Sequence, residues 1–190
     1  MRVRCKNLGG SDLGTLETAN GRYMRSSIFH VTVGREYTVF GLLFSSGMPH
    51  YLICDDNDIY YDNDAIPVWH PPSMFAVTCD RVSRHWRVAN WSNSEQYFVL
   101  IGYPEITESP EAYDRLVDAD PAARYAFYKR KQLAELEFPD SSIEQVAQLI
   151  EGDWLQCPFC ADAWQSNSLN ALVRCPACRK ISNDPRYYLI

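Results

Sequence analysis

Two Cys-Pro-x-Cys turns near the C-terminus constrain this chain more than any other feature. They read Cys157-Pro158-Phe159-Cys160 and Cys175-Pro176-Ala177-Cys178, with fourteen residues between the inner cysteines. Each turn aims two sulfurs at one point, and proline stiffens the turn at little entropic cost. Two such turns a hairpin apart can close four thiolates into a tetrahedron, the preferred arrangement around Zn²⁺. Cys157, Cys160, Cys175 and Cys178 are therefore the expected metal ligands. Four protein ligands leave no coordination position for water, so the expected role is structural rather than catalytic.

Three other uses of these cysteines fit less well. The first turn alone resembles a glutaredoxin-like redox pair, but such a pair is normally single and opens a helix after a strand. Disulfides need an oxidising compartment, and residues 1–10 are charged and polar, without the apolar run of an export signal. Haem attachment needs a histidine after the second cysteine, where Ala161 and Arg179 stand instead. Cys5, Cys54 and Cys79 lie outside the turns, in apolar or strand-like stretches, and are expected to be reduced, buried thiols. A cytoplasmic location is the expectation from these points together.

At 190 residues the chain can hold one medium domain, or a larger and a smaller one. No stretch approaches the apolar length of a membrane span. The net charge of −6 opposes a general affinity for nucleic acid and suits a basic protein partner. Composition then divides the chain into three: strand-forming residues over 1–107, helix-forming residues over 108–152, and the cysteine region over 153–190.

In the first part, Met1 to Lys6 alternates charged and apolar residues. Further strand-like runs cover 36–44, 51–54, 66–69, 74–78, 86–91 and 97–101, separated by turn residues. Short strands at this spacing predict a small barrel or a strongly bent sheet. Gly34, Tyr37, Val39, Tyr51, Ile53, Asp55, Asp56, Trp69, Pro72 and Phe75 follow a loose pattern. It resembles small bacterial and phage SH3-like domains, with Gly-x-x-Tyr-x-Val, a strand closing on paired aspartates, and a segment of aromatic, Pro and Phe. The usual turn glycine is replaced at Asn57 or Asp58, and Tyr60 to Ala65 reads as an insertion. The resemblance covers about residues 1–80. It implies an SH3-like barrel and, because such segments occur in some immunity proteins of toxin systems, a protein-binding role.

Five aspartates fall within the ten residues from Asp55 to Asp64. A calcium loop would need glycine sixth and a bidentate glutamate twelfth; Ile66 holds the twelfth position. A solvated hairpin tip is the ordinary explanation. The functional one is an acidic docking patch of Asp55, Asp56, Asp58, Tyr60, Tyr61 and Asp62 for a basic partner. Strand tryptophans could stack nucleic-acid bases, although core packing is far commoner. His30, His50, His70 and His85 have no partner at catalytic spacing, and no phosphate loop or nucleophile elbow is present.

In the middle part, Ser109-Pro110-Glu111 opens one helix, and Asp120-Pro121 opens a second that runs to about Glu137. Arg124, Lys129, Arg130 and Lys131 cluster on the latter, most simply as a solvated face. Ser141 and Glu144 form a capping box before Ile143, Val146, Ala147 and Ile150, which predicts a third helix ended by Gly152. The last part resembles a zinc ribbon, with a knuckle at the end of each of two short hairpins. The class is thus α+β: an SH3-like barrel, a helical middle and a zinc ribbon. The expected function is a non-enzymatic, zinc-binding protein-interaction protein, an immunity protein against a basic toxin in its most concrete form. The alternative is a nucleic-acid-associated ribbon protein using Arg174, Arg179, Lys180 and Arg186.

Overall fold

Glu36–Ser45 forms the longest strand, β2, and organises the N-terminal part. The structure, a computed structural model, describes residues 1–8, 27–45, 47–56, 66–92, 97–138, 143–167 and 172–186. Around β2 lie β1 (Arg2–Cys5), β3 (Met48–Ile53), β4 (Val68–His70), β5 (Phe75–Cys79), β6 (Arg87–Ser92) and β7 (Tyr97–Gly102). All pairings are antiparallel. One path runs β4-β3-β2-β1-β5, while β7 pairs with β2 and carries β6 outside it. The strands agree closely with the expected runs.

The sheet branches because β2 is long enough to serve three neighbours. Its first residues, Glu36 to Thr38, pair with β1, and Gly41 to Ser45 pair with both β3 and β7. Among the described residues β4, β5 and β6 each have one strand neighbour, so the sheet stays open. The strands of the expected barrel are thus present, and among the described residues no closed barrel is seen.

A register shift between Val39 and Gly41 bends β2 at Phe40. Tyr37 and Val39 join a core with Val3, Ile53, Met74 and Phe75. Phe40 joins a second core with Leu52, Tyr103, Ile106, Leu116 and Phe127. Burial of each such side chain contributes roughly 1.5–3 kcal/mol. Gly41 and Gly102 oppose each other across β2 and β7. A Cβ on either would come within 2.7 Å of Ile106 Cδ1, so the bare backbone is the seat of that side chain.

Ile106 lies in α1 (Pro104–Thr107), followed by α2 (Ala112–Val117) and α3 (Pro121–Glu137). Asp120 caps α3 by accepting the Ala123 amide at 2.8 Å, with Pro121 at the first helical position. Phe127 meets Phe40 edge-on, with centroids 5.3 Å apart. At the far end Arg2 donates to the Phe138 carbonyl at 2.8 Å and Arg81 to that of Glu137 at 2.7 Å. Two guanidinium groups thus satisfy the last carbonyls of α3, where positive charge also suits the helix dipole. Two of the basic residues of α3 form ion pairs within the fold. Arg130 holds Glu105, and Lys131, itself buried, pairs with Glu135 at 3.0 Å.

The helix expected after residue 141 is absent from the described residues there. Gln148–Glu151 is instead a strand, β8. It pairs with β9 (Trp154–Gln156), which pairs with β10 (Ala163–Gln165). A two-stranded sheet of β11 (Leu172–Arg174) and β12 (Ile181–Asn183) follows. The segment before β8 lies along β12. The Ala147 amide donates to the Asn183 carbonyl at 2.9 Å, and the Asn183 amide to the Gln145 carbonyl at 2.8 Å. These bonds are unavailable to a helix, which would use the same groups internally. The apolar spacing instead buries Ala147 against Leu155 and Val173.

Candidate metal centre

The two cysteine turns have the same construction. In the first, the Cys157 amide donates to the Asp162 carbonyl at 2.8 Å, and the Ala161 amide to the Cys157 carbonyl at 3.0 Å. In the second, Cys175 donates to Lys180 at 3.0 Å, and Arg179 to Cys175 at 2.9 Å. The residue after each second cysteine is left-handed: Ala161 and Arg179 both have φ of 60°. That reversal returns the chain into β10 after the first turn and β12 after the second. Each knuckle therefore ends a hairpin, β9–β10 or β11–β12.

The hairpins bring all four sulfurs to within 4.8 Å of one another. Cys157 and Cys178 are 3.6 Å apart and Cys160 and Cys175 3.7 Å apart, so both contacts cross between the knuckles. A metal ion with sulfur bonds of about 2.3 Å requires tetrahedral edges of about 3.8 Å, close to these separations. The residues present therefore fit a tetrahedral metal ion. Burial opposes the Cys157 thiolate, but the amides of Phe159 and Cys160 and the neighbouring thiols outweigh it and bring its pKa down to about 7. The Phe159 amide stands 3.4 Å from that sulfur. At Cys160 the Asp162 amide favours the thiolate, but burial and bonds to the other three thiols prevail and push it up to about 12. Burial also raises the Cys175 thiol. Four adjacent thiols cannot all ionise without a cation to hold the charge.

A side-chain clasp outside the ligands keeps the hairpins together. Buried Asp184 receives Arg186 through two bonds, Nε to Oδ1 at 3.0 Å and Nη2 to Oδ2 at 2.6 Å. Arg186 Nη1 continues to the Ser166 carbonyl at 2.6 Å and to Asp153 at 3.3 Å. The bonds to Asp184 are the leading reason the guanidinium is held even more firmly protonated than usual. Asn183 adds a bond from Nδ2 to the Ile143 carbonyl at 2.7 Å. Sequence reading counted Arg186 as surface charge and missed Asn183 and Asp184 as positioning residues. The acid two residues before the arginine was the available signal.

Only the first two residues of the acidic stretch, Asp55 and Asp56, are among the described residues. Asp55 and Asp56 are buried, not displayed as a patch. Asp56 accepts from Thr32 Oγ1, from Arg35 Nη1 at 2.7 Å and from Tyr37 Oη at 2.8 Å. Burial, with the Asp56 carboxylate adding to it, raises the Tyr37 phenol pKa well above its ordinary value. Asp56 thus anchors the 30–37 segment. Asp58, Tyr60, Tyr61 and Asp62 lie outside the described residues. Of the remaining cysteines, Cys5 is buried and Cys54 and Cys79 half-buried, all as free thiols. No helix among the described residues is long and apolar enough to cross a membrane.

Comparison with family models, curated proteins and solved structures gives no match to this chain.

Proposed function

We propose that this chain is a non-enzymatic, Zn²⁺-stabilised protein-interaction protein. The observation that carries the reading is the closed set of four thiols, with cross-knuckle separations of 3.6 and 3.7 Å. Thiolate softness and tetrahedral packing favour Zn²⁺. Four protein ligands favour a metal that folds its segment over one that activates water. What the ribbon then offers is surface: Ile150, Trp154 and Phe159 are exposed on or beside its strands. Exposed aromatic side chains are the usual anchors of protein interfaces.

The immunity reading is the more specific form. The strand order β5-β1-β2-β3-β4 and the 3-10 turn Pro72–Met74 before β5 support an SH3-like relationship. The net charge of −6 would speed encounter with a basic toxin. Burial of Asp55 and Asp56 moves the weight of this reading from those residues to overall charge. The nucleic-acid alternative loses Arg186, which is committed to Asp184.

The test titrates the zinc-loaded chain with the protein encoded beside it, at two salt concentrations. Binding that weakens in Trp154→Ser and associates more slowly at high salt supports the proposal. Absence of protein binding, together with salt-sensitive binding of RNA or DNA, would transfer the chain to the nucleic-acid class.

A further inference from the structure

The ribbon is not the only feature suited to a ligand. A cavity of about 330 Å³ opens between the 81–85 segment and the C-terminal half of α3. That size is at the small end of pockets for organic ligands. Arg81, Arg84 and His85 line one side, and Arg130, Leu133 and Glu137 line the other. The Tyr103 ring forms part of the wall, with the Arg130 guanidinium 5.2 Å from its centroid.

The charges of this wall are unevenly matched. Arg130 is neutralised by Glu105, through two Nε contacts of 3.1 Å. Arg81 donates to a carbonyl, that of Glu137, and stacks on Phe138 at 4.9 Å. Both partners are neutral, so they fix the guanidinium without cancelling its charge. Arg84 donates from Nε to His85 Nε2 at 3.3 Å, again not to a carboxylate. Among the described residues neither Arg81 nor Arg84 pairs with a carboxylate. The one carboxylate in the wall, Glu137, accepts the Ser83 hydroxyl at 2.7 Å. Counting Glu105 and Glu137 against three guanidinium groups still leaves one positive charge, on a chain that is acidic as a whole.

We propose that this cavity binds the phosphate group of a small phosphomonoester. A guanidinium presents N–H donors in a fixed fork that suits tetrahedral oxyanions. Arg81 is already held in place by its bonds to the end of α3, so little ordering is needed when the anion arrives. Arg84 supplies a second fork from three residues along the same segment. Leu133 and the Tyr103 ring provide an apolar wall for the organic part, which a bare phosphate ion would leave unused.

The experiment is calorimetric titration of the zinc-loaded chain at constant ionic strength with inorganic phosphate, adenosine monophosphate and adenosine. The monophosphate should saturate one site, phosphate should bind the same site more weakly, and adenosine should not bind. Arg84→Glu should weaken the monophosphate at least about tenfold, the scale of one lost charge-assisted hydrogen bond. Leu133→Glu, at an exposed position on the opposite wall, should do the same by repulsion. Circular dichroism and zinc content should match the parent in both variants. No saturation by phosphate or the monophosphate at about 10 mM, a concentration that detects even very weak sites, overturns the proposal. So does adenosine binding equal to that of the monophosphate, or undiminished binding in both variants.

Discussion

The Sγ atoms of Cys157 and Cys178 lie 3.6 Å apart, closer than the 4.8 Å limit that encloses all four thiols. The contact joins opposite knuckles, so a shared ion would lock two hairpins that otherwise meet through a small core of Ala147, Leu155 and Val173 and the Arg186 clasp. So few apolar side chains cannot hold a segment of this size without the metal. Protein purified without added metal should therefore contain about one Zn²⁺ per chain, the stoichiometry of a four-thiolate site. Cys178→Ser should lose it and lose the β8–β12 structure, while the β1–β7 sheet still unfolds cooperatively in urea. Elemental analysis and hydrogen exchange read both outcomes. A metal-free native protein with four reactive thiols would reject the site, and loss of all cooperative structure would reject the separate ribbon.

Ala161 and Arg179 carry a conformational cost that glycine would remove. Both sit at φ 60° immediately after a knuckle, where a Cβ costs on the order of 1 kcal/mol. Part of the gain from glycine is lost to its more flexible unfolded chain. Ala161→Gly or Arg179→Gly should still strengthen zinc retention several-fold against a competing chelator, because ribbon folding and metal binding are coupled. Among the described residues the Arg179 side chain makes no hydrogen bond, so the second variant changes little else. Equal or weaker retention in both variants would show that the turn bears no such strain.

How far the sequence carried the reading depended on where each residue's partner lies. Strands β1–β7 were legible because alternation and turn residues are local, and α3 because Asp120-Pro121 marks its start. The ligands were legible because all four belong to short turns. The segment before β8 was misread because Ile143, Val146, Ala147 and Ile150 keep helical spacing. What decides their conformation is backbone pairing with Asn183, some forty residues away. Asp56 was misread for the same reason: its acidic neighbours are local, whereas Arg35 and Tyr37, which bury it, lie 21 and 19 residues upstream. Sheet closure was not legible either, since it depends on whether edge strands meet.

His70 makes stability depend on pH. Its ring is buried, packs edge-on against Phe75 at 6.0 Å, and places Nδ1 2.9 Å from the Val68 carbonyl. Burial lowers its pKa to about 4, despite the favourable carbonyl. The unfolded imidazole titrates near 6.5, so between these values the unfolded chain binds more protons. Stability contributed by the neutral ring is therefore complete above about pH 6.5 and is lost as the pH falls towards 4. By pH 5 the loss should approach 2 kcal/mol, the difference between the two titrations. Urea unfolding at pH 7 and pH 5 measures it, and His70→Gln should be less stable at pH 7 yet show a smaller pH dependence. An unchanged pH dependence in that variant would assign the effect to other groups.

Asp56 supplies the sharpest contrast between a docking residue and a structural one. Its carboxylate gathers Thr32, Arg35 and Tyr37, and its own amide donates to the His30 carbonyl at 2.7 Å. The Arg35 and Asp56 side chains are only 13% and 10% exposed, so their ion pair is poorly reached by solvent. Removing the acid would strand a largely buried guanidinium and a buried phenol, a change that costs roughly 3–5 kcal/mol. Asp56→Asn keeps acceptor capacity for Tyr37 and Thr32 but loses the charge, and should cost less than Asp56→Ala. Both losses should persist at high salt, because a buried pair is weakly screened. A surface docking acid would behave in the opposite way, leaving thermal stability nearly unchanged and slowing partner association at low salt. Urea unfolding of the two variants therefore decides between the roles, and a loss below about 1 kcal/mol in Asp56→Ala, the range of an exposed pair, would return Asp56 to the surface.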